Sequence, residues 1–227
     1  MRLINIVVIL LVTSLFVDAK WHDIRVLKYT KNPKSFILKS GIEYVEIYLH
    51  SIYKYYPDKK SKKSYYNSVF LKMGQKSLKS FGKSAVSSFR NYKNIAKKDK
   101  ALVAYDNSND KKYYFTYFNA YMIDSKGKFW LLESKQDLID IIKPIDTPQE
   151  AVLIMWLNGY SSLTNANTHY RLKYKKNKNG YSILETQQRA DNEYSGCVEY
   201  KYISTINKQG AITKRFLAGK KSQLCKD

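Results

Sequence analysis

SGIEYVEIYLHSIYKYY, residues 40–56, is the stretch on which the fold of this chain turns. Ser40-Gly41-Ile42-Glu43 has the form of a capping box, in which the Ser40 hydroxyl oxygen accepts from the amide of Glu43 and the Glu43 carboxylate returns to the amide of Ser40. Ile42, Val45, Leu49, Ile52 and Tyr56 then recur at intervals of three and four, the stripe of an amphipathic helix, and Pro57 ends it. The expectation is a helix, with His50 beside its apolar stripe. A second helical zone is expected over residues 65–95. Val69, Leu71, Met73, Leu78, Phe81, Val86 and Phe89 supply its apolar positions, and Gly74 and Gly82 mark breaks.

Between the two zones lies YKYYPDKKSKKSYY, residues 53–66. Pro57-Asp58 opens a turn, and Lys59-Lys60-Ser61-Lys62-Lys63 carries no apolar period. The segment therefore reads as an exposed loop linking two helices, with Tyr53, Tyr56, Tyr65 and Tyr66 packing at the helix ends. A base-stacking role for those tyrosines is the alternative. Lys59, Lys60, Lys62 and Lys63 are the candidate contacts to an anionic surface.

Beyond Lys100 the pattern changes to strands. Residues 101–105, 112–123 and 128–132 are separated by turn clusters, Asp106–Asp110 and Asp124–Gly127, and read as a meander. Two helices follow. Ser134 caps the first, with Asp137 at the third position. Thr147-Pro148-Gln149-Glu150 starts the second with a cap, a proline in the first turn and a glutamate at the third position. Residues 151–157 are apolar almost all round, as in a helix buried from several sides. Two hairpins close the chain, turning at Asn177–Gly180 and Asn207–Gly210. In Val198-Glu199-Tyr200-Lys201-Tyr202 charged and aromatic residues alternate, so one face is wet and the other covers something. The expected class is α+β: an N-terminal helical region, an antiparallel meander, two short helices (one buried) and two C-terminal hairpins. A signal peptide at 1–19, a basic helical region at 20–100 and an α+β domain at 101–227 complete the division, the last two forming one globular unit.

Arg2 followed by the apolar run Leu3–Val17, with Val17-Asp18-Ala19 as small residues before Lys20, reads as a cleaved secretory signal. An uncleaved anchor is the alternative, although the run is short of the roughly 20 residues a spanning helix needs. After cleavage the chain is expected in the periplasm or outside the cell, and not as an integral membrane protein. The two cysteines, Cys197 and Cys225, fit an oxidising compartment as a disulfide. Closing that loop would stabilise the fold by about 3–4 kcal/mol.

The net charge of +21 is uneven. Residues 20–104 carry +15, residues 105–170 carry −2 and residues 171–227 carry +8. Such a balance favours anionic polymers, lipid head groups, another exported protein or nucleic acid as partners. Most of the cations are lysines, which suit solvated surfaces more than bidentate phosphate recognition, and an AT-rich coding sequence yields the same composition. No Gly-x-Ser-x-Gly elbow, no His-Glu-x-x-His and no phosphate-cradling glycine loop is present, and no motif calls for a cofactor. Asp106–Asp110 starts like a calcium loop, yet Lys111 stands where the glycine belongs and Tyr117 where the bidentate glutamate belongs, and neither cysteine has a ligand-spaced partner for a metal. Of the three histidines, only His169, entering a strand, is a candidate acid or base, and no carboxylate pair stands out. The leading reading is an exported, non-catalytic binding or accessory protein acting through a basic surface. A secreted hydrolase on a glycan or polyanion, and an exported nucleic-acid-binding protein, are the rivals.

Overall fold

The computed structural model describes residues 20–24, 36–55, 64–74, 78–94, 100–106, 108, 112–160, 171–191 and 196–223. Its elements are β1 (His22–Asp23), β2 (Ile42–Tyr55), β3 (Ser64–Met73), α1 (Gly82–Asn94), β4 (Val103–Asp106), β5 (Lys112–Asp124), β6 (Phe129–Leu132), α2 (Lys135–Ile142), α3 (Pro148–Leu157), β7 (Arg171–Asn177), β8 (Gly180–Asp191), β9 (Gly196–Asn207) and β10 (Ile212–Gln223). The fold is mostly β, built as two sheets, and this overturns the expected α+β class with its N-terminal helical region.

The stretch expected to be the first helix is the strand β2. Its composition explains why: Ile42, Tyr44, Val45, Ile47, Tyr48, Ile52, Tyr53 and Tyr55 are β-branched or aromatic, side chains that pack on a pleated surface and lose rotamer freedom in a helix. Ser40 and Glu43 form no cap. Residues 40 and 41 make a turn instead, with Gly41 at φ +89° and its carbonyl accepting from the Ser125 amide at 2.8 Å. The second helical zone is likewise a strand, β3, as far as Met73, with a 3-10 turn at Leu78–Phe81 and α-helix from Gly82 to Asn94. Gly74 closes β3 where a Cβ would collide with the Glu43 carbonyl oxygen, so only glycine fits that approach.

In the N-terminal sheet β2 lies between β3 and β5, and the far edge of β5 is shared end to end by β4 and β6. The C-terminal sheet has the order β1-β7-β8-β9-β10. Every pairing in both sheets is antiparallel. The two capping boxes at Ser134 and Thr147 form as the sequence reads, and α3 is buried from Glu150 to Leu157. Trp156 of α3 packs on Phe70 and Phe118 of the N-terminal sheet, at centroid distances of 5.0 and 4.9 Å. The same core cluster takes in Leu172, Tyr181, Ile183 and Ile206 from the C-terminal sheet. Thus α3 is the apolar layer between the sheets.

The other face of the N-terminal sheet is closed by α1, whose Phe89 is fully buried against Tyr44, Tyr121 and Phe129. Glu150 adds a polar tie. Its carboxylate accepts from the amides of Ile37, Asp146 and Thr147 at 2.7, 2.9 and 3.0 Å, fixing the chain before β2 to the start of α3. No helix among the described residues is long and apolar enough to cross a membrane.

Candidate functional site

Because strand side chains alternate, the registers of β7 to β10 sort the C-terminal sheet into two faces. One faces α3. The other carries the row Lys173, Leu184, Ile203 and Phe216, flanked by the row Lys175, Ser182, Thr205 and Lys214 on one side and by Arg171, Thr186 and Lys201 on the other. Lys221 and Glu199 follow at the far end, and Asp23 of β1 lies beside Lys173. Among the described residues no helix or strand packs over this face, and Phe216 is 41% exposed. It holds six cations and two acids. Asp23 reaches Lys173 at 3.8 Å and Glu199 reaches Lys201 at 3.1 Å. Arg171, Lys175, Lys214 and Lys221 have no acidic partner among the described residues, and the Lys214 Nζ stands 4.8 Å over the Phe216 ring.

The opposite face becomes polar where it runs past the core. Arg215 donates to Ser204 Oγ at 2.7 Å and to Glu185 Oε2 at 3.1 Å, and its guanidinium lies 4.7 Å and 4.8 Å from the rings of Tyr160 and Tyr202. Gln187 donates to the other oxygen of Glu185. Glu185 is fully buried, so this is a satisfied ion pair that pins the chain leaving α3 to the sheet.

A third polar cluster occupies the α1 side of the N-terminal sheet. Glu46, His50 and Asn119 are buried there, with Tyr48 between Glu46 and His50 on the strand. The Tyr44 hydroxyl donates to Glu46 at 2.5 Å, and burial, reinforced by the Glu46 charge, raises the Tyr44 phenol far above its ordinary range. His50 stacks on Tyr117 at 4.8 Å and meets the edge of Tyr48 at 5.1 Å. Burial also raises Tyr117, with Tyr65 adding to it. Glu46 and His50 are four residues apart on one strand, about 13 Å along it, so they do not form an acid–base pair. A shallow groove of about 390 Å³ lies between the two C-terminal hairpin turns, lined by Asn177–Gly180, Thr205–Asn207 and Thr213. Lys178 is its one titratable side chain. No group of three His, Cys, Asp or Glu that could hold a metal ion occurs among the described residues.

The residues singled out from sequence fall differently. Lys59, Lys60, Lys62 and Lys63 lie outside the described residues, but the segment that holds them joins two strands, β2 and β3, and not two helices. Tyr53 and Tyr65 are strand residues, exposed at 39% and 67%, and not helix-end packing. His50, expected beside a helical stripe, is buried on a sheet face. His22 belongs to β1 and packs on Tyr174 at 5.4 Å. His169 lies outside the described residues. Cys197 is buried in β9, and Cys225 lies outside the described residues. Asp106 makes an Asx turn by accepting from the Ser108 amide at 2.9 Å. Sequence reasoning passed over the open face of the C-terminal sheet. The signal was present: in β7, Arg171, Lys173 and Lys175 alternate with Leu172 and Tyr174, which pack in or on the core, and in β10 Lys214 and Phe216 stand two apart. Comparison of the chain with protein-family models, with curated proteins and with solved structures finds no match.

Proposed function

We propose that the protein is an exported, non-catalytic binding protein that meets an anionic partner through a basic surface. The observation that carries this reading is the open face of the C-terminal sheet, where four cations without acidic partners among the described residues surround the row Leu184, Ile203 and Phe216. A solvated sheet face needs only scattered polar residues. An excess of positive charge around apolar side chains that are partly exposed, with Phe216 exposed among them, is the pattern of an interaction surface. Lys59, Lys60, Lys62 and Lys63 add electrostatic attraction to it without selecting a partner. The test is retention on immobilised heparin of the wild type beside the variant carrying Arg171→Gln, Lys175→Gln, Lys214→Gln and Lys221→Gln. The variant is expected to elute at clearly lower salt; co-elution with wild type rejects the face as the binding surface.

Export is the second half of the reading. Removal of residues 1–19 would leave β1 and the buried Ile24 intact, and the mature protein should begin at Lys20 by mass measurement. An intact Met1 on the mature protein refutes it. In the same compartment Cys197 and Cys225 are proposed to be joined. Gln223 stands opposite Cys197 in the β9–β10 register, and two further residues span at most about 7 Å. Labelling of both thiols in unreduced, exported protein would contradict the bond.

A further inference from the structure

We propose that the open face of the C-terminal sheet docks on the surface of an anionic lipid bilayer. This inference rests on the binding reading above and specifies its partner. The four cations without acidic partners stand at the corners of the patch and not along a line. Lys175 and Lys214 share a row three strands apart, about 14 Å, and Arg171 is about 13 Å from Lys175 along β7. Lys221 lies about 20 Å from Lys214 along β10. These spacings exceed the Debye length of about 8 Å at physiological salt, so each cation meets its own counter-charge.

A linear polyanion laid across the patch would reach two of the corners and leave the central row in water. A second copy of the chain is disfavoured, because the same excess of positive charge would face itself. A bilayer of acidic lipids supplies negative charge in two dimensions with apolar matter beneath it. That matches corner cations around Leu184, Ile203 and Phe216. Phe216 is the side chain placed to enter the interface, since it is exposed and the Lys214 ammonium already lies across its ring.

The experiment is co-sedimentation of the full chain with vesicles of pure phosphatidylglycerol and of pure phosphatidylcholine, beside retention on heparin. Two variants are compared with wild type: the four-site Arg/Lys→Gln variant, and Phe216→Ser. Far-UV circular dichroism verifies that each is folded, as substitutions on a face that no described helix or strand covers should leave it. Wild type is expected to bind phosphatidylglycerol vesicles and not phosphatidylcholine. Each cation removed should weaken that binding about fivefold, so the four-site variant should lose two orders of magnitude or more. Phe216→Ser should bind these vesicles roughly tenfold more weakly while its heparin retention is unchanged. If Phe216→Ser sediments with the vesicles as wild type does, the lipid inference is overturned, even where the four-site variant has lost heparin. In that case the basic face remains a binding surface for a polyanion or an acidic protein. If the four-site variant matches wild type on both heparin and vesicles, the inference and the reading beneath it fall together.

Discussion

Among the described residues, the central strands of the N-terminal sheet are packed on both sides, whereas those of the C-terminal sheet are packed on one. Along β2, Val45 and Ile47 enter the layer around α3, while Tyr44 and Glu46 lie under the α1 side, and all four are buried. Along β9, Ser204 and Ile206 are buried against the core, while Lys201 is exposed. The difference has two consequences. Double coverage removes the wet positions from a strand, so its sequence loses the period of two. Single coverage leaves a face on which charge and exposed apolar groups can be arranged for a partner. The proposed binding surface and the readable sequence therefore fall on the same sheet, for the same reason.

The sharpest way to break this comparison is to remove one phenylalanine from each outer face. Phe89 of α1 is fully buried against the N-terminal sheet, so Phe89→Ala should destabilise the protein by about 3–5 kcal/mol. Phe216 is half exposed on the open face, so Phe216→Ala should cost less than about 1 kcal/mol. Urea unfolding of the two variants measures both. Equal losses would mean that the open face is not open.

The same contrast explains what could be read in advance. The helices at Ser134 and Thr147 were legible because a cap is local: the oxygen and the amide it binds lie three residues apart, and the chain carries both. The C-terminal hairpins were legible from their turn residues and from alternation on a one-sided sheet. β2 was not. Ile42, Val45, Leu49 and Ile52 fit a helical stripe only because strand neighbours on both faces are apolar too, and the Ser40–Glu43 spacing imitated a cap. What decides against the helix is the partner strand β5, some 70 residues away, which pairs with β2 along its whole length. The candidate site failed to emerge for a related reason. Lys175 and Lys214 are neighbours only through registers across three strand pairings, whereas the lysines at 59–63 cluster in the sequence itself.

The next effect in size tests how the C-terminal sheet is held where its inner face leaves the core. Arg215→Ala would strand the fully buried Glu185 carboxylate and release Tyr160, and should cost about 3 kcal/mol. The double variant Arg215→Met with Glu185→Leu removes both charges and should return to within about 1 kcal/mol of wild type. Recovery of this kind, read by thermal unfolding, separates loss of an ion pair from loss of packing. No recovery would assign the cluster to packing on Tyr160 and Tyr202.

Glu150 ties the segment before β2 to α3, and its effect should depend on pH. Burial pushes its carboxyl above the usual glutamate value, with the amides of Ile37, Asp146 and Thr147 pulling against that rise. The folded protein thus holds this proton more tightly than the unfolded chain does. The contribution of the group is fully present below the unfolded value of about 4.5 and is lost as pH rises through the folded value. Glu150→Gln should cost about 1–2 kcal/mol at acid pH, and its deficit against wild type should shrink as pH rises. Asp124 and Asp140 carry the opposite sign. The Trp130 indole N–H, with the Lys128 amide, lowers Asp124, and Lys143, with Gln136, lowers Asp140, so their contributions fade as pH falls. Only the difference between variant and wild type isolates Glu150. A deficit that grows with pH would contradict the burial account.

The smallest effect concerns Lys59, Lys60, Lys62 and Lys63, which join β2 to β3 at the end of the doubly covered sheet. If binding belongs to the open face of the other sheet, these lysines act only as point charges. They lack the rigid fork of arginine and screen easily. Their contribution should weaken steeply with salt, because it rests on release of counterions, and should be mostly gone above about 0.2 M. The fourfold Lys→Gln variant should therefore lose a similar, modest factor against DNA, heparin and phosphatidylglycerol vesicles at low salt, and almost nothing at high salt. Its stability should stay within about 0.5 kcal/mol of wild type. The four-site variant of the open face should lose far more on the same vesicles. A loss confined to DNA that survives high salt would instead bring in the exposed Tyr53 and Tyr65 as stacking platforms, since base stacking is not screened. That outcome would move the binding function to the N-terminal sheet and reverse the division of labour drawn between the two.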